Sequence, residues 1–207
     1  MFKNLKIGVR LGLGFGIVLV LLVVLALTAF TRLSNLNHEI EYMLNDRFPK
    51  TVWANDVIDL VNQVARGARS ALLLAQPDEI QKELDNIAKA RKTATERYQR
   101  LEKTIMSEAG KKVLAAVLEQ RKAYGVELDR FIELVKTGKR EAALAQLMGP
   151  MATIQTDYLT AIHALIDFQT DAMKKAGEAA DQSADQAQNI VVILSLVALV
   201  IGIGFAF

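Results

Sequence analysis

The 207-residue chain contains no cysteine, only two histidines and only three prolines. Without cysteine it can form neither a disulfide framework nor a thiolate metal site. His38 and His163 are far apart and lack the spacing of metal ligands. The sequence has no H-E-x-x-H motif, no glycine-rich phosphate loop and no nucleophile elbow. We therefore expect no metal, no cofactor and no enzymatic activity.

The chain also lacks a strong charge of either sign. Its 25 basic and 23 acidic side chains leave a formal net charge of +2 at pH 7. Basic residues do not cluster on one domain, as they do in nucleic-acid-binding proteins, so the sequence predicts no nucleic-acid partner. The small number of prolines favours a helical protein, because proline disrupts helix interiors.

Two uncharged apolar runs stand out, Leu11–Thr31 and Asn189–Phe207. The first lies between Arg10 and Arg32 and matches the roughly 20 residues that a helix needs to cross a bilayer. A cleaved signal peptide is the alternative, but its apolar region is usually about 7–15 residues long. We expect an uncleaved anchor. We expect the second run to be a second membrane helix, partner to the first, within a longer protein.

The residues before the first run indicate the orientation of the chain across the membrane. Lys3, Lys6 and Arg10 are basic, and residues 1–10 contain no acid. Basic residues beside a first membrane helix favour a cytoplasmic location for that flank. The prediction is a two-pass protein of the inner membrane in contact with lipid. Its parts are a cytoplasmic N-terminus (1–10), a transmembrane helix (11–31), an extracytoplasmic domain (32–188) and a second transmembrane helix (189–207).

Four amphipathic stretches fill the predicted extracytoplasmic domain, because apolar residues recur there every three or four positions. The predicted helices are about Arg32–Ala75, Asp78–Ser107, Lys111–Lys136 and Arg140 towards Gln188. Pro49 predicts an interruption near Phe48, and Gly149-Pro150 predicts another in the fourth helix. Because the connections are short, we predict an all-α fold, an antiparallel four-helix bundle flanked by two transmembrane helices.

Two arginines, Arg91 and Arg121, fall on the apolar seams of the second and third predicted helices. A guanidinium at a core position is costly unless an anion or a carbonyl meets it. At about 1.5 Å of rise per residue, both arginines reach the same level of the bundle. Hydroxyl groups at that level come from the third and fourth helices: Tyr124, Thr153, Thr156 and Tyr158.

This set of side chains predicts a pocket for a small ligand, an organic acid or an amino acid, because an arginine fork matches the geometry of a carboxylate. There is an alternative in which an acidic residue of a neighbouring helix pairs with the arginines. In another, their long side chains extend outwards into solvent. The sequence leaves these interpretations open.

A polar stripe follows the first bundle helix with steps of four and three residues. Its members are Asn55, Asp59, Asn62, Arg66 and Arg69. One interpretation is a ligand site at a dimer interface that includes Arg66 and Arg69. The other, which is the commoner meaning of such stripes, is a solvated helix face.

The opening residues Asn4–Leu11, followed by Gly12, Gly14 and Gly16, resemble the N-terminus of many bacterial methyl-accepting chemotaxis proteins. The order of membrane helix, bundle and membrane helix resembles the sensor module of these chemoreceptors along the whole chain. The resemblance implies a homodimeric transducer. Its second membrane helix would continue into a cytoplasmic signalling hairpin that binds an adaptor and a histidine kinase.

The resemblance reaches only one residue of the family's amino-acid site. Arg69-Ser70-Ala71-Leu72 resembles the second of three arginines in the aspartate- and serine-sensing members, whereas Val64 and Leu73 stand where the other two would be. Only Arg69 therefore carries over. An input module of a sensor histidine kinase or a diguanylate cyclase, and a non-sensing structural or partner-binding membrane protein, are the alternative functions.

Overall fold

The computed structural model describes residues 7–206, and these contain helices and no strand. Most of the predicted cytoplasmic N-terminus lies outside the described residues. The helices, in chain order, are α1 (Ile7–Tyr42), α2 (Phe48–Leu73), α3 (Pro77–Thr104), α4 (Glu108–Lys136), α5 (Arg140–Met148) and α6 (Pro150–Ala206). The predicted all-α fold is confirmed.

The interruption predicted at Pro49 takes the form of a wider helical turn. A π-helical segment, Met43–Arg47, separates α1 from α2, and Pro49 lies in the first turn of α2. Proline has no N–H to donate to the carbonyl of Asn45, and its ring crowds that carbonyl. The change from α- to π-helical turns next to Pro49 is therefore a local effect of proline, and every residue from Ile7 to Leu73 remains helical.

Local hydrogen bonds define both ends of α4. At its start, Ser107 is the N-cap, and its hydroxyl accepts a hydrogen bond from the backbone N–H of Gly110 at 3.2 Å. At its end, Gly138 has φ of +70°. The N–H of Lys139 bonds the carbonyl of Leu134 at 2.9 Å, and the N–H of Gly138 bonds that of Val135. This is the Schellman motif, which favours glycine.

The fourth predicted helix is divided in two. Gly149, with φ of −106° and ψ of −104°, separates α5 from α6. The short helix α5 is held against α4 by Gln146, whose buried amide donates to the side chain of Glu127 and to its backbone carbonyl at 3.3 Å. The disturbance expected at Gly149-Pro150 is thus a complete helix end followed by a new start at Pro150.

Residues 44–173 form one compact unit, the bundle. It contains α2, α3, α4, α5 and the first part of α6. Helix α2 packs against α3 and α5, and α4 packs against α3 and α5. One continuous apolar core runs through the unit, and its most deeply buried large side chains include Ile87, Leu101, Leu128, Phe131 and Ile162. The short connections and the shared core are those of an antiparallel four-helix bundle, in which the divided fourth helix consists of α5 and the first part of α6.

A second compact unit contains the residues up to Met43 and those from Lys174 onwards. It consists of α1 and the last part of α6, which carry the two apolar runs. By length and composition, two helices of the described chain are suited to crossing a membrane. Large apolar side chains along them are exposed, among them Phe15, Leu27, Phe30 and Val200. An exposed apolar surface of this extent is unusual for a helix surrounded by water.

Candidate functional site

The bundle contains a half-open cavity of about 210 Å³, called here the bundle cavity. Side chains of α2, α3, α4 and α6 line it. Four of the eight predicted site residues are among them: Arg91, Arg121, Tyr124 and Tyr158. The comparison of levels along the helices therefore placed together four side chains from three helices that do line one cavity, and their role in ligand binding stays a prediction.

The two predicted threonines of α6 lie elsewhere. Thr153 and Thr156 are exposed and do not line the bundle cavity. Their hydroxyls donate to carbonyls of their own helix, to Gly149 at 3.4 Å and to Ala152 at 3.0 Å. With 3.6 residues per turn, they lie about 140° and 200° around the helix from Tyr158. Their level was predicted, but their face of the helix points away from the cavity.

The polar stripe lies on the outer face of α2. Arg66 and Arg69 are exposed, as are Asn55 and Asp59. None of them lines the bundle cavity. In the single chain this face is open to solvent, so a ligand site at a dimer interface stays a prediction.

Arg91 has an acidic partner on the neighbouring helix. Its Nη1 lies 2.5 Å from Oδ1 of Asp129, and its Nη2 lies 3.4 Å from Oδ2. The guanidinium thus meets the carboxylate with both terminal nitrogens, in the fork geometry that arginine favours. The side chains are 40% and 61% exposed, so the pair adds little to stability. Of the interpretations that the sequence left open for Arg91, pairing with an acid of a neighbouring helix is therefore the one observed.

Arg121 has no acidic partner among the described residues. Its Nη2 donates to the hydroxyl of Thr95 at 2.6 Å, and that hydroxyl donates to the carbonyl of Arg91 at 2.9 Å. The guanidinium lies over the ring of Tyr98, 4.8 Å from its centroid, in a cation–π contact. An arginine has five N–H donors, and Thr95 uses one of them. The guanidinium is positioned but not neutralised.

Three tyrosines form a layer across the bundle, called here the tyrosine layer: Tyr98, Tyr124 and Tyr158. The hydroxyls of Tyr98 and Tyr158 are 2.7 Å apart, and the rings of Tyr124 and Tyr158 are tilted, with centroids 5.6 Å apart. The Tyr124 hydroxyl is buried and has no hydrogen-bond partner within residues 7–206. An unsatisfied buried hydroxyl costs about 1–3 kcal/mol, so a bound group that accepts a hydrogen bond from it would recover stability.

The tyrosines remain neutral at physiological pH. Burial raises the pKa of Tyr98, and the neighbouring Tyr158 raises it further. Burial is also the main cause of the raised pKa of Tyr124 and of Tyr158. A neutral phenol keeps its O–H proton, so Tyr124 can donate to an anion.

The charge of the bundle cavity is positive. Arg91, Lys92 and Arg121 line it, and no aspartate or glutamate does. Asp129 offsets only the charge of Arg91. Within the described chain no group of three or more histidine, cysteine, aspartate or glutamate side chains is arranged to hold a metal ion. The chemistry available is therefore that of anion binding by guanidinium, phenol and ammonium groups.

The sequence did not predict Thr95, Tyr98 or Asp129 as site residues. Tyr98 lies on the apolar seam of α3, where an aromatic residue is most simply a core residue. Thr95 lies four residues after Arg91 and therefore on the same face, a signal that was available. Asp129 follows the buried Leu128 and is exposed, so nothing in the local pattern distinguishes it from other surface acids.

Residues 4–184 match the protein family described as four helix bundle sensory module for signal transduction. No curated protein matches the chain. The family match includes α2 to α5 and the part of α6 that carries Tyr158, so the whole bundle cavity falls within it.

Proposed function

The chain belongs to the family of four helix bundle sensory modules for signal transduction, and on that basis we propose that it is a transmembrane receptor whose bundle binds a small carboxylate. The family is a signalling module and not an enzyme family. Two helices that are long and apolar enough to cross a membrane support a membrane receptor. The bundle cavity supplies the ligand site.

The observation that carries the ligand class is the combination of Arg121 and Tyr124. Arg121 is held by Thr95 and Tyr98 yet has unused N–H donors, and Tyr124 has a buried hydroxyl without a partner. Both line a cavity that has three basic and no acidic lining residues. A carboxylate accepts hydrogen bonds from both groups and neutralises Arg121.

The orientation and output form part of the same proposal. The basic residues Lys3, Lys6 and Arg10 favour a cytoplasmic N-terminus and a periplasmic bundle in the inner membrane. Helix α6 carries Tyr158 as well as the second apolar run, which makes it the natural transmitter. A ligand that binds one position of α6 more tightly shifts the equilibrium towards it by a small piston, tilt or rotation.

The resemblance of residues 4–16 to chemoreceptors favours a homodimeric chemotaxis transducer that acts through an adaptor and a histidine kinase. A sensor histidine kinase or a diguanylate cyclase with the same input module is the alternative. The sequence of the gene beyond the codon for Phe207 distinguishes them. A long cytoplasmic helical hairpin supports the chemoreceptor, whereas a kinase or cyclase domain contradicts it.

Calorimetry of the whole chain in phospholipid nanodiscs tests the ligand site. The titrants are small monocarboxylates, dicarboxylates and amino acids. We expect at least one carboxylate to bind and Arg121→Ala to weaken it by at least about tenfold, since a charge-assisted hydrogen-bonded pair contributes about 1.5–3 kcal/mol.

Arg130→Ala is the matched control, because Arg130 is exposed on the same helix and does not line the bundle cavity. It should leave binding unchanged. Equal binding by Arg121→Ala and the parent chain would show that the cavity is not the ligand site. Binding of no carboxylate at all would contradict the proposed ligand class.

A further inference from the structure

We infer that the ligand is a monocarboxylate with a short apolar body, and that Asp129 is the residue that sets this preference by occupying Arg91. The inference rests on the proposed function and deepens it, because it names the chemical class that the bundle cavity selects. It depends on how the two arginines differ, on the absence of acids from the cavity lining and on the apolar side of the cavity.

Only one arginine fork is available to a ligand. Both terminal nitrogens of Arg91 face the carboxylate of Asp129, at 2.5 and 3.4 Å. Within residues 7–206, Arg121 has only the neutral hydroxyl of Thr95 as a hydrogen-bond partner. A first ligand carboxylate therefore finds a partner in Arg121 and in the hydroxyl of Tyr124. A second carboxylate would have to compete with Asp129 for Arg91, which exchanges one carboxylate for another without net gain, or reach Lys92, whose ammonium is exposed to solvent, where ion pairs contribute little.

An amino acid is disfavoured by its positive charge. Its ammonium group needs a carboxylate or several neutral oxygen acceptors, and no acidic side chain lines the bundle cavity. The nearby acid, Asp129, is already paired. The ammonium would lie among Arg91, Lys92 and Arg121, and like charges at short range destabilise one another. The cavity therefore discriminates against zwitterions.

Most of the remaining lining residues of the cavity are apolar. Leu60, Val61 and Val64 contribute it from α2, and Leu128 contributes it from α4. An aliphatic body buried there gains about fourfold in affinity for each methylene removed from water. The volume of about 210 Å³ is below the roughly 300–1,000 Å³ of pockets for larger ligands. The part of the ligand that lies inside the bundle is accordingly short, of a few carbon atoms.

Four matched compounds test the inference with the whole chain in phosphatidylcholine nanodiscs. The reference is 3-methylbutanoate. In 3-methylbutanamide the charge is removed, in 2-methylsuccinate a methyl group becomes a second carboxylate, and in L-valine an ammonium group is added. We expect 3-methylbutanoate to bind at least about tenfold more tightly than each of the other three, since each leaves a charged or polar group without its partner.

The outcomes separate this inference from the proposed function. If 2-methylsuccinate or L-valine binds as tightly as 3-methylbutanoate and the binding needs Arg121, the proposed carboxylate site stands and the inference is overturned. If 3-methylbutanamide binds as tightly as 3-methylbutanoate, carboxylate recognition itself is contradicted. If no carboxylate binds, both fail.

A gain of binding gives the sharper test. Asp129→Asn removes the charge that occupies Arg91, so Arg91 becomes available to a second ligand carboxylate. We expect the affinity for 2-methylsuccinate to rise at least about tenfold, as for one new charged hydrogen-bonded pair, with a change below about threefold for 3-methylbutanoate. Asp129→Glu keeps the charge and should keep the preference of the parent chain.

The matched control is Asp56→Asn. Asp56 also pairs with an arginine of α3, Arg97, at 2.7 Å, but neither residue lines the bundle cavity. It should leave the ligand preference unchanged. An unchanged preference in Asp129→Asn, with a helical circular dichroism spectrum like that of the parent, overturns the role of Asp129. An equal gain in Asp56→Asn would overturn it as well.

Discussion

Two parts of the same core differ in how far their burial contributes to the stability of the fold. The tyrosine layer and the apolar part of the core around Leu101 and Phe131 are buried to a similar extent. In the apolar part, side chains only pack, so burial converts directly into stability. In the tyrosine layer, the Tyr124 hydroxyl lacks a partner and a cavity remains open. Under the proposed function, this layer gives up some stability to keep a site for the ligand.

The largest effect should come from the apolar part. Phe131 is completely buried, so Phe131→Ala should lower the free energy of unfolding by about 3–5 kcal/mol, through lost apolar burial and the cavity left behind. Denaturant unfolding followed by circular dichroism measures it. Phe131→Ala should not change which ligands the protein prefers, because Phe131 does not line the bundle cavity. A loss below about 1 kcal/mol would mean that the two parts of the core do not differ as described.

High pH should destabilise the tyrosine layer. Burial raises the pKa of Tyr98, Tyr124 and Tyr158 above the value of about 10 expected in the unfolded chain. The folded state then favours the neutral phenols. Stability from this source is complete below pH 10 and is lost as the pH rises above 10, by up to about 1.4 kcal/mol per pH unit for each tyrosine.

Unfolding measured at pH 9, 10 and 11 tests this dependence. Tyr124→Phe should make the decline shallower by the contribution of one group, whereas Phe131→Ala should leave its slope unchanged. A stability that stays constant between pH 9 and 11 would contradict the raised pKa values.

An intermediate effect is expected for the paired hydroxyls. Tyr98→Phe leaves the buried hydroxyl of Tyr158 without its 2.7 Å partner, which should cost about 1–3 kcal/mol of unfolding free energy. The double variant Tyr98→Phe with Tyr158→Phe should cost less than the sum of the two single variants, because it leaves no orphan hydroxyl. Strictly additive losses in this double-mutant cycle would argue against the hydrogen bond.

The smallest effect on stability should come from Tyr124→Phe. This substitution gives the clearest test of the difference between the tyrosine layer and the apolar part of the core. The substitution removes a hydroxyl that has no partner, so stability should stay within about 0.5 kcal/mol of the parent or rise. Carboxylate affinity should nevertheless fall about fivefold, by the loss of one hydrogen bond of about 1 kcal/mol. Thermal unfolding and calorimetry of the same sample measure both. A marked loss of stability would show that Tyr124 has a structural partner instead.

Much of the fold could be predicted because it depends on local signals. The interruptions predicted at Pro49 and Gly149-Pro150 occur, because proline acts on neighbouring backbone groups. The three- and four-residue spacing of apolar side chains determines which face of a helix is buried. The rise of about 1.5 Å per residue predicted that Arg91, Arg121, Tyr124 and Tyr158 lie at one level of the bundle, and all four line the bundle cavity.

The rest of the site depends on rotation about a helix and on contacts between helices. A level along the axis does not give the face, so Thr153 and Thr156 were expected inside and lie outside. The partner of Arg91 is Asp129, 38 residues away, and that of Arg121 is Thr95, 26 residues away. No local pattern relates residues at such separations, since their contact depends on how α3 packs against α4.

By itself, the sequence determined the all-α class, the four amphipathic helices, the two apolar runs and the level at which two arginines meet. These follow from composition and periodicity, which act along the chain. Only the tertiary structure decided that, among the described residues, Asp129 pairs with Arg91 while no acid pairs with Arg121 and no group pairs with the Tyr124 hydroxyl. The physical reason is that charge pairing and burial depend on distances between helices, and only packing determines those distances.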